Sequence, residues 1–251
     1  MTIIYFDHHP FDADLVVFDK DGTLIDFHPL WAGKTVAGVE RLLDAVGGSA
    51  SLRCDLYQTL GYDPSSDRFA TNGPVITASL PHLNIIAATI LYQHGYGWLE
   101  GYLLVEEHFA RGVADTFNPS MLRPLADLPA LFGDLSAHSV GVALVTSDDH
   151  APAQQTLEIF GVAHHVGFVV GGDDGFAHKP SPEALLAACE RFQVSPQRAV
   201  MVGDSSTDMI MAQRAGFGLC VGVLSGPMER SALDGSAHVV LDSIAQIHLV
   251  Q

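Results

Sequence analysis

Leu15-Val16-Val17-Phe18-Asp19-Lys20-Asp21-Gly22-Thr23-Leu24 is a short apolar run that ends abruptly in charge. A run without polar alternation suits a strand covered on both faces. Five later runs have the same form. Residues 140–145 lead into Thr146-Ser147-Asp148-Asp149, residues 166–170 into Gly171-Gly172-Asp173, and residues 199–202 into Gly203-Asp204; residues 219–223 and 238–241 complete the set. Helical patterns lie between them at 151–160, 182–192 and 208–215. Pro182 suits a first helical turn with Ser181 as its cap, and Gly161 and Gly216 fall where helices should stop. Strand–helix alternation of this kind predicts an α/β fold: a Rossmann-like, doubly wound parallel sheet with helices on both faces.

The rhythm breaks after the first strand. Residues 27–118 read as helical, with segments at 29–46, 51–60, 79–93 and 98–116. The expected organisation is therefore an α/β core made of 1–26 and 119–251, with an inserted α-helical cap domain at 27–118. A chain of 251 residues has room for both parts. No internal repeat, low-complexity tract or flexible linker is evident.

Composition narrows the function. Hydrophobic residues make up 48% and charged residues 16%, which excludes a disordered chain. The net charge of −17 argues against nucleic acid and anionic membrane surfaces as partners. Cys54, Cys189 and Cys220 are far apart and odd in number, so neither a disulfide scaffold nor a thiolate zinc site is expected. The first residues lack the basic and apolar regions of a signal peptide. Residues 71–99 carry no Asp, Glu, Lys or Arg, but Pro74, Pro81, Asn84, Gln93 and three glycines interrupt them. A buried helix fits that stretch better than a membrane span. The protein reads as soluble and cytoplasmic.

Open α/β sheets bind ligands beyond the carboxyl ends of their strands. Asp19 and Asp21 stand at such an end, two residues apart, and would repel each other unless a cation joined them. A carboxylate attacks phosphorus only when its charge and that of the phosphate are screened. Mg²⁺ does this, held by one or two carboxylates with substrate and water, and Asp204 offers a further carboxylate from another strand end. Thr146, with the N–H groups after it, offers donors to phosphate oxygens. Lys179 is one of three lysines in the chain and supplies a point charge. Asp208 is placed to orient Lys179 or a metal-bound water. Each element alone has an ordinary reading: an Asx turn, a helix cap, a loop lysine, an acidic first turn. All four occur together, at strand ends and in order.

The set resembles the haloacid dehalogenase-like hydrolase superfamily, over nearly the whole chain from Leu15 to Leu241. The resemblance implies that Asp19 is the nucleophile, forming an aspartyl-phosphate, and that Asp21 is the general acid/base. It implies Mg²⁺ as cofactor, held by Asp19, Asp204 and the backbone carbonyl of Asp21. Thr146 and Ser147 match the second motif and would bind substrate phosphate together with Lys179, which matches the third. Asp204 and Asp208 match the acidic pair of the fourth, with Asp208 behind the reacting groups. A helical insertion after the first strand, with the wording of the first and second motifs, resembles the phosphoglycolate phosphatases within the helical-cap subclass. The implied activity is Mg²⁺-dependent hydrolysis of a small phosphorylated metabolite by a monomer or homodimer.

Two other readings use the same residues: a sugar-phosphate mutase, and a non-catalytic phospho-accepting module. The second would be shorter and would lack Asp21 and the cap. The cap residues that choose the substrate are not fixed by sequence. Arg53, Arg68, Arg111 and Arg123 are candidate carboxylate partners whose plainer reading is a solvated helix face.

Overall fold

The computed structural model describes residues 2–249. By internal contacts the chain forms two compact units, Met1–Phe27 with Leu122–Gln251, and His28–Met121.

The first unit is built on a six-stranded sheet. Its spatial order is Val239–Leu241, Leu219–Val223, Ala199–Gly203, Leu15–Phe18, Gly141–Val145 and Phe168–Val170, all parallel. The first strand of the six in sequence therefore sits at the centre. Its residues pair with 141–144 on one side and 199–202 on the other. All four of its side chains are buried, as an unalternated run requires. Leu15 and Val17 pack into a cluster with Leu185, Ala188, Met209 and Ala212 from the helices Glu183–Phe192 and Ser206–Ala215. On the opposite face, Phe18 meets Phe132 of helix Leu128–Ala137, ring centroids 5.3 Å apart. The sheet is thus covered on both faces, and the α/β Rossmann-like fold is the one expected.

Several details differ from the sequence reading. The strand expected at 166–170 spans only Phe168–Val170, because a single 3₁₀ turn at Ala163–His165 ends at Val166. The helix expected from Pro182 starts at Glu183; Pro182 itself is the N-cap, and Ser181 lies one residue outside. The helix expected at 208–215 begins two residues earlier, capped by Ser205. A second, antiparallel sheet was not foreseen: Ile3–Phe6 lies between His9–Asp12 and Ile247–Leu249. Arg198 ties its edge to the core, bonding Asp12 at 2.7 and 2.9 Å and also pairing with Asp14.

The second unit is mainly helical: Phe27–Val46, Ala50–Leu60, Pro74–Thr77, Leu80–Gln93, Trp98–Leu104 and Arg111–Asp115. The helix expected at 98–116 is continuous, but its middle, Val105–Ala110, is a π-turn. Gly38 and Gly112 let two of these helices approach closely. A Cβ on Gly112 would lie 2.7 Å from the Ala37 carbonyl oxygen, and one on Gly38 would meet Phe109 at 3.0 Å. A small hairpin, Tyr62–Asp63 with Arg68–Phe69, was also unforeseen. The Asp63 carboxylate accepts from the Ser65 and Ser66 hydroxyls, both at 2.7 Å, and fixes its turn. Among the described residues no helix is long and apolar enough to cross a membrane.

Candidate active site

The site begins where the central strand ends. Asp19 N–H donates to the Val202 carbonyl at 2.9 Å, continuing the strand ladder by one residue. The chain then folds back: the Lys20 carbonyl accepts from Leu24 N–H at 2.9 Å, and Gly22 N–H reaches the Ile25 carbonyl at 2.7 Å. Gly22 has φ +85°, a conformation that side chains rarely adopt. This turn leaves Asp19 and Asp21 at the carboxyl end of the sheet.

Lys179 arrives from the loop between strand Phe168–Val170 and helix Glu183–Phe192. Its ammonium donates to Asp19 Oδ1 at 2.6 Å and to Asp208 Oδ1 at 2.7 Å. Asp208 is fixed by a capping box: its Oδ2 accepts from Ser205 Oγ at 2.5 Å and from Ser205 N–H at 3.2 Å. Asp204 stands at the end of strand Ala199–Gly203. One carboxylate oxygen from each of Asp19, Asp204 and Asp208 lies within 4.8 Å of the other two. All three residues are buried.

Asp204 is held in a glycine cradle. A Cβ on Gly22 or Gly226 would overlap its carboxylate. Ser225 closes the cradle by donating from Oγ to the Gly22 carbonyl at 2.7 Å. Gly226 was not among the residues the sequence singled out. It is one of 24 glycines, and nothing around it marks the contact.

Thr146 and Ser147 lie at the end of the neighbouring strand, Gly141–Val145. Neither shares a hydrogen bond with the carboxylates. Thr146 Oγ1 accepts instead from Asp148 N–H at 3.1 Å, and Thr146 N–H donates to the Val170 carbonyl. The following helix, His150–Ile159, has Asp149 as its N-cap. The Asp21 carboxylate also stands outside the group of three. Its Oδ1 accepts from Lys20 at 2.8 Å, and Lys20 lies 2.9 Å from Asp148 Oδ2. The Lys20–Asp148 pair was likewise missed.

Burial dominates the electrostatics. It pushes the Asp19 carboxyl up to about 7, against the pull of Lys179 and with a further push from Asp208. Asp204 is driven well above the usual carboxylate range, first by burial and then by the charges of Asp19 and Asp208. Burial pulls the Lys179 ammonium down, but Asp19 and Asp208 outweigh it and leave it raised. Lys20 shows the same balance, with Asp21 and Asp148 as its partners. Five carboxylates against two ammonium groups leave a formal excess of three negative charges. Asp208 already accepts from Lys179 and Ser205 on its two oxygens, so Asp19 and Asp204 are the pair whose hard oxygen donors and unbalanced charge fit a small divalent cation such as Mg²⁺.

A model of the haloacid dehalogenase-like hydrolases matches residues 13–216. The chain belongs to that family. This hydrolase is 29% identical over 215 residues to the phosphoglycolate phosphatase of Escherichia coli (strain K12), a match covering 80% of this chain and 77% of that one. It is 28% identical over 236 residues to the phosphoglycolate phosphatase of Chromobacterium violaceum, covering 93% and 94%. Among solved structures, a predicted phosphoglycolate phosphatase from Haemophilus somnus 129pt aligns with TM-score 0.70 at 20% identity, over 93% of this chain and 96% of that one. That last likeness speaks for the fold alone.

Proposed function

We propose that this hydrolase is a Mg²⁺-dependent phosphatase for a small phosphate monoester, with phosphoglycolate as the substrate type. The observation that supports it most is Lys179, from a loop, bridging Asp19 at one strand end and Asp208 in the first turn of a helix, beside Asp204 at a second strand end. The curated relatives named phosphoglycolate phosphatase support the substrate class.

In this reading an Asp19 carboxylate oxygen attacks phosphorus, and the bond from phosphorus to the ester oxygen breaks. Asp21 gives a proton to the leaving oxygen. Water then attacks the aspartyl-phosphate, its proton passes to Asp21, and Asp19 is released with phosphate. Lys179 balances charge on Asp19 and on the phosphate, and Asp208 keeps Lys179 in place. Thr146 and Ser147 bind phosphate oxygens. Asp19, Asp204 and the Asp21 carbonyl would hold Mg²⁺, which when bound supplies charge screening between carboxylate and phosphate. In this reading the helical unit is the counterpart of the cap expected at 27–118, and the choice of the alcohol part of the ester is assigned to its residues. Of the candidate arginines there, Arg53 is paired with Glu40.

The test is a panel of phosphate monoesters with Mg²⁺, with and without chelator, on the wild type and Asp19→Asn. Phosphate release that favours a small carboxylated ester, stops with chelator and is absent in a folded Asp19→Asn variant is the expected result. An isomerised sugar phosphate without phosphate release would replace this reading with the mutase. Full activity of Asp19→Asn would remove it.

A further inference from the structure

Lys20 lies between the two aspartates of the proposed mechanism, yet that mechanism gives it no task. Its side chain is only 1% exposed. A lysine normally keeps its ammonium in water while its stem lies along the surface. Burying it costs desolvation and rotamer freedom, which only well-placed partners offset. Lys20 has two, Asp21 Oδ1 at 2.8 Å and Asp148 Oδ2 at 2.9 Å.

Asp148 is itself a fixed post. Its N–H donates to Thr146 Oγ1 at 3.1 Å, its carbonyl accepts from Gly172 N–H at 2.8 Å, and its Oδ1 accepts from Asp149 N–H at 3.1 Å. Those contacts anchor it at the end of the Gly141–Val145 strand, across from the turn that carries Asp21. Lys20 spans the gap between the fixed post and the carboxylate.

We infer that Lys20 is a positioning residue: braced on Asp148, it holds Asp21 by Oδ1 and so aims the other oxygen, Oδ2, at the leaving group. The inference rests on the phosphatase reading of Asp21. A proton donor must stand within about 2.6–3.2 Å of the atom it serves, so a carboxylate free to turn about two bonds loses this function without any change elsewhere.

The consequence is selective. In the first step the bond from Asp19 to phosphorus forms, the bond to the ester oxygen breaks, and the Asp21 proton ends on that oxygen. An alkoxide leaves poorly without the proton; a dinitrophenolate leaves without it. Loss of aim therefore penalises alkyl esters and spares the activated aryl ester. A purely structural role for Lys20, or one in phosphate binding, penalises both alike.

The experiment measures kcat/KM for propyl phosphate and for 2,4-dinitrophenyl phosphate at saturating Mg²⁺, in the wild type, Lys20→Met and Asp148→Asn. This ratio reports only the steps through phosphoryl transfer to Asp19. Lys20→Met is expected to lose about 100-fold on the alkyl ester and less than about threefold on the aryl ester, the size of a displaced general acid. Asp148→Asn, which keeps the lysine, shows the same selectivity at about tenfold, and decides the matter if Lys20→Met does not fold. In the Lys20→Met background, Asp148→Asn adds nothing to the selectivity. A common loss on both esters, or an unchanged ratio, in a wild type that hydrolyses them overturns the role of Lys20 alone. A wild type inert on both overturns the phosphatase reading, and this inference with it.

Discussion

Two buried lysines brace the same end of the sheet, and they brace it differently. Lys179 joins Asp19 and Asp208, while Lys20 joins its neighbour Asp21 to Asp148. In each case burial pulls the ammonium down and two carboxylates more than restore it. The surroundings set them apart. Lys179 stands among three carboxylates that crowd one another, and the charge of Asp208 adds to burial in raising the Asp19 carboxyl. Lys20 meets two carboxylates, one of them tethered by its own backbone. The same device supplies charge balance in one place and direction in the other. What decides between them is whether the partners already crowd each other.

The comparison breaks most visibly at Lys179. Lys179→Met should lower kcat/KM by about 1000-fold, as expected for removing a group that stabilises transferring charge. The loss should be equal for propyl and dinitrophenyl phosphate, in contrast to Lys20→Met. Leaving-group selectivity in Lys179→Met would erase the distinction between the two lysines.

A smaller effect is expected from the glycine cradle. Gly226→Ala puts a methyl group into the Asp204 carboxylate. Titrating activity with Mg²⁺ should show affinity about tenfold weaker, the lower end for a disturbed supporting contact, with the alkyl-to-aryl ratio unchanged. Unaltered Mg²⁺ dependence would separate Asp204 from the metal.

The smallest effect belongs to a third ion cluster, which has partners but no reacting group. Arg198 holds the carboxyls of Asp12 and Asp14 below their ordinary value of 3.8, chiefly through side-chain hydrogen bonds. Lowered carboxyls stabilise the fold above pH 3.8, and that contribution disappears as the pH falls through their depressed values. Arg198→Ala should therefore reduce resistance to urea at pH 7, lose its effect as the pH falls through those depressed values, and leave both esters' kinetics unchanged. A deficit that persists in acid would show that the arginine acts through packing.

The sequence made some of this legible and hid the rest for physical reasons. The six parallel strands announce themselves as unalternated apolar runs ending in polar turns, because both faces are covered. Of the antiparallel strands, Ile3–Phe6 is an apolar run that the sequence reading passed over, while His9–Asp12 and Ile247–Leu249 carry no such mark. Pro10 interrupts one of them, and although Ile3–Phe6 meets His9–Asp12 in a local hairpin, its other partner, Ile247–Leu249, lies at the far end of the sequence, where no local pattern reports it. At the site, Asp19 and Asp204 could be picked out as acidic groups at strand ends, and Lys179 and Asp208 as matches to the family's third and fourth motifs. Lys20 looked like the spacer between two aspartates. Its burial depends on Asp148 standing across from it, which no local pattern reports. Gly226 matters for the side chain it does not have, and a missing atom leaves no signature among 24 glycines.

The position of Leu15–Phe18 at the centre of its sheet has a consequence for the order of assembly. A ribosome makes this strand before any of the other five, yet its two neighbours are Gly141–Val145 and Ala199–Gly203. Until residue 141 emerges, both of its edges lack their partners, and the helices of residues 28–121 are synthesised in the interval. The nascent protein must shelter a sticky, fully apolar ribbon through that interval, and the aspartate at its tip waits for Lys179 and Asp208, which are made far later.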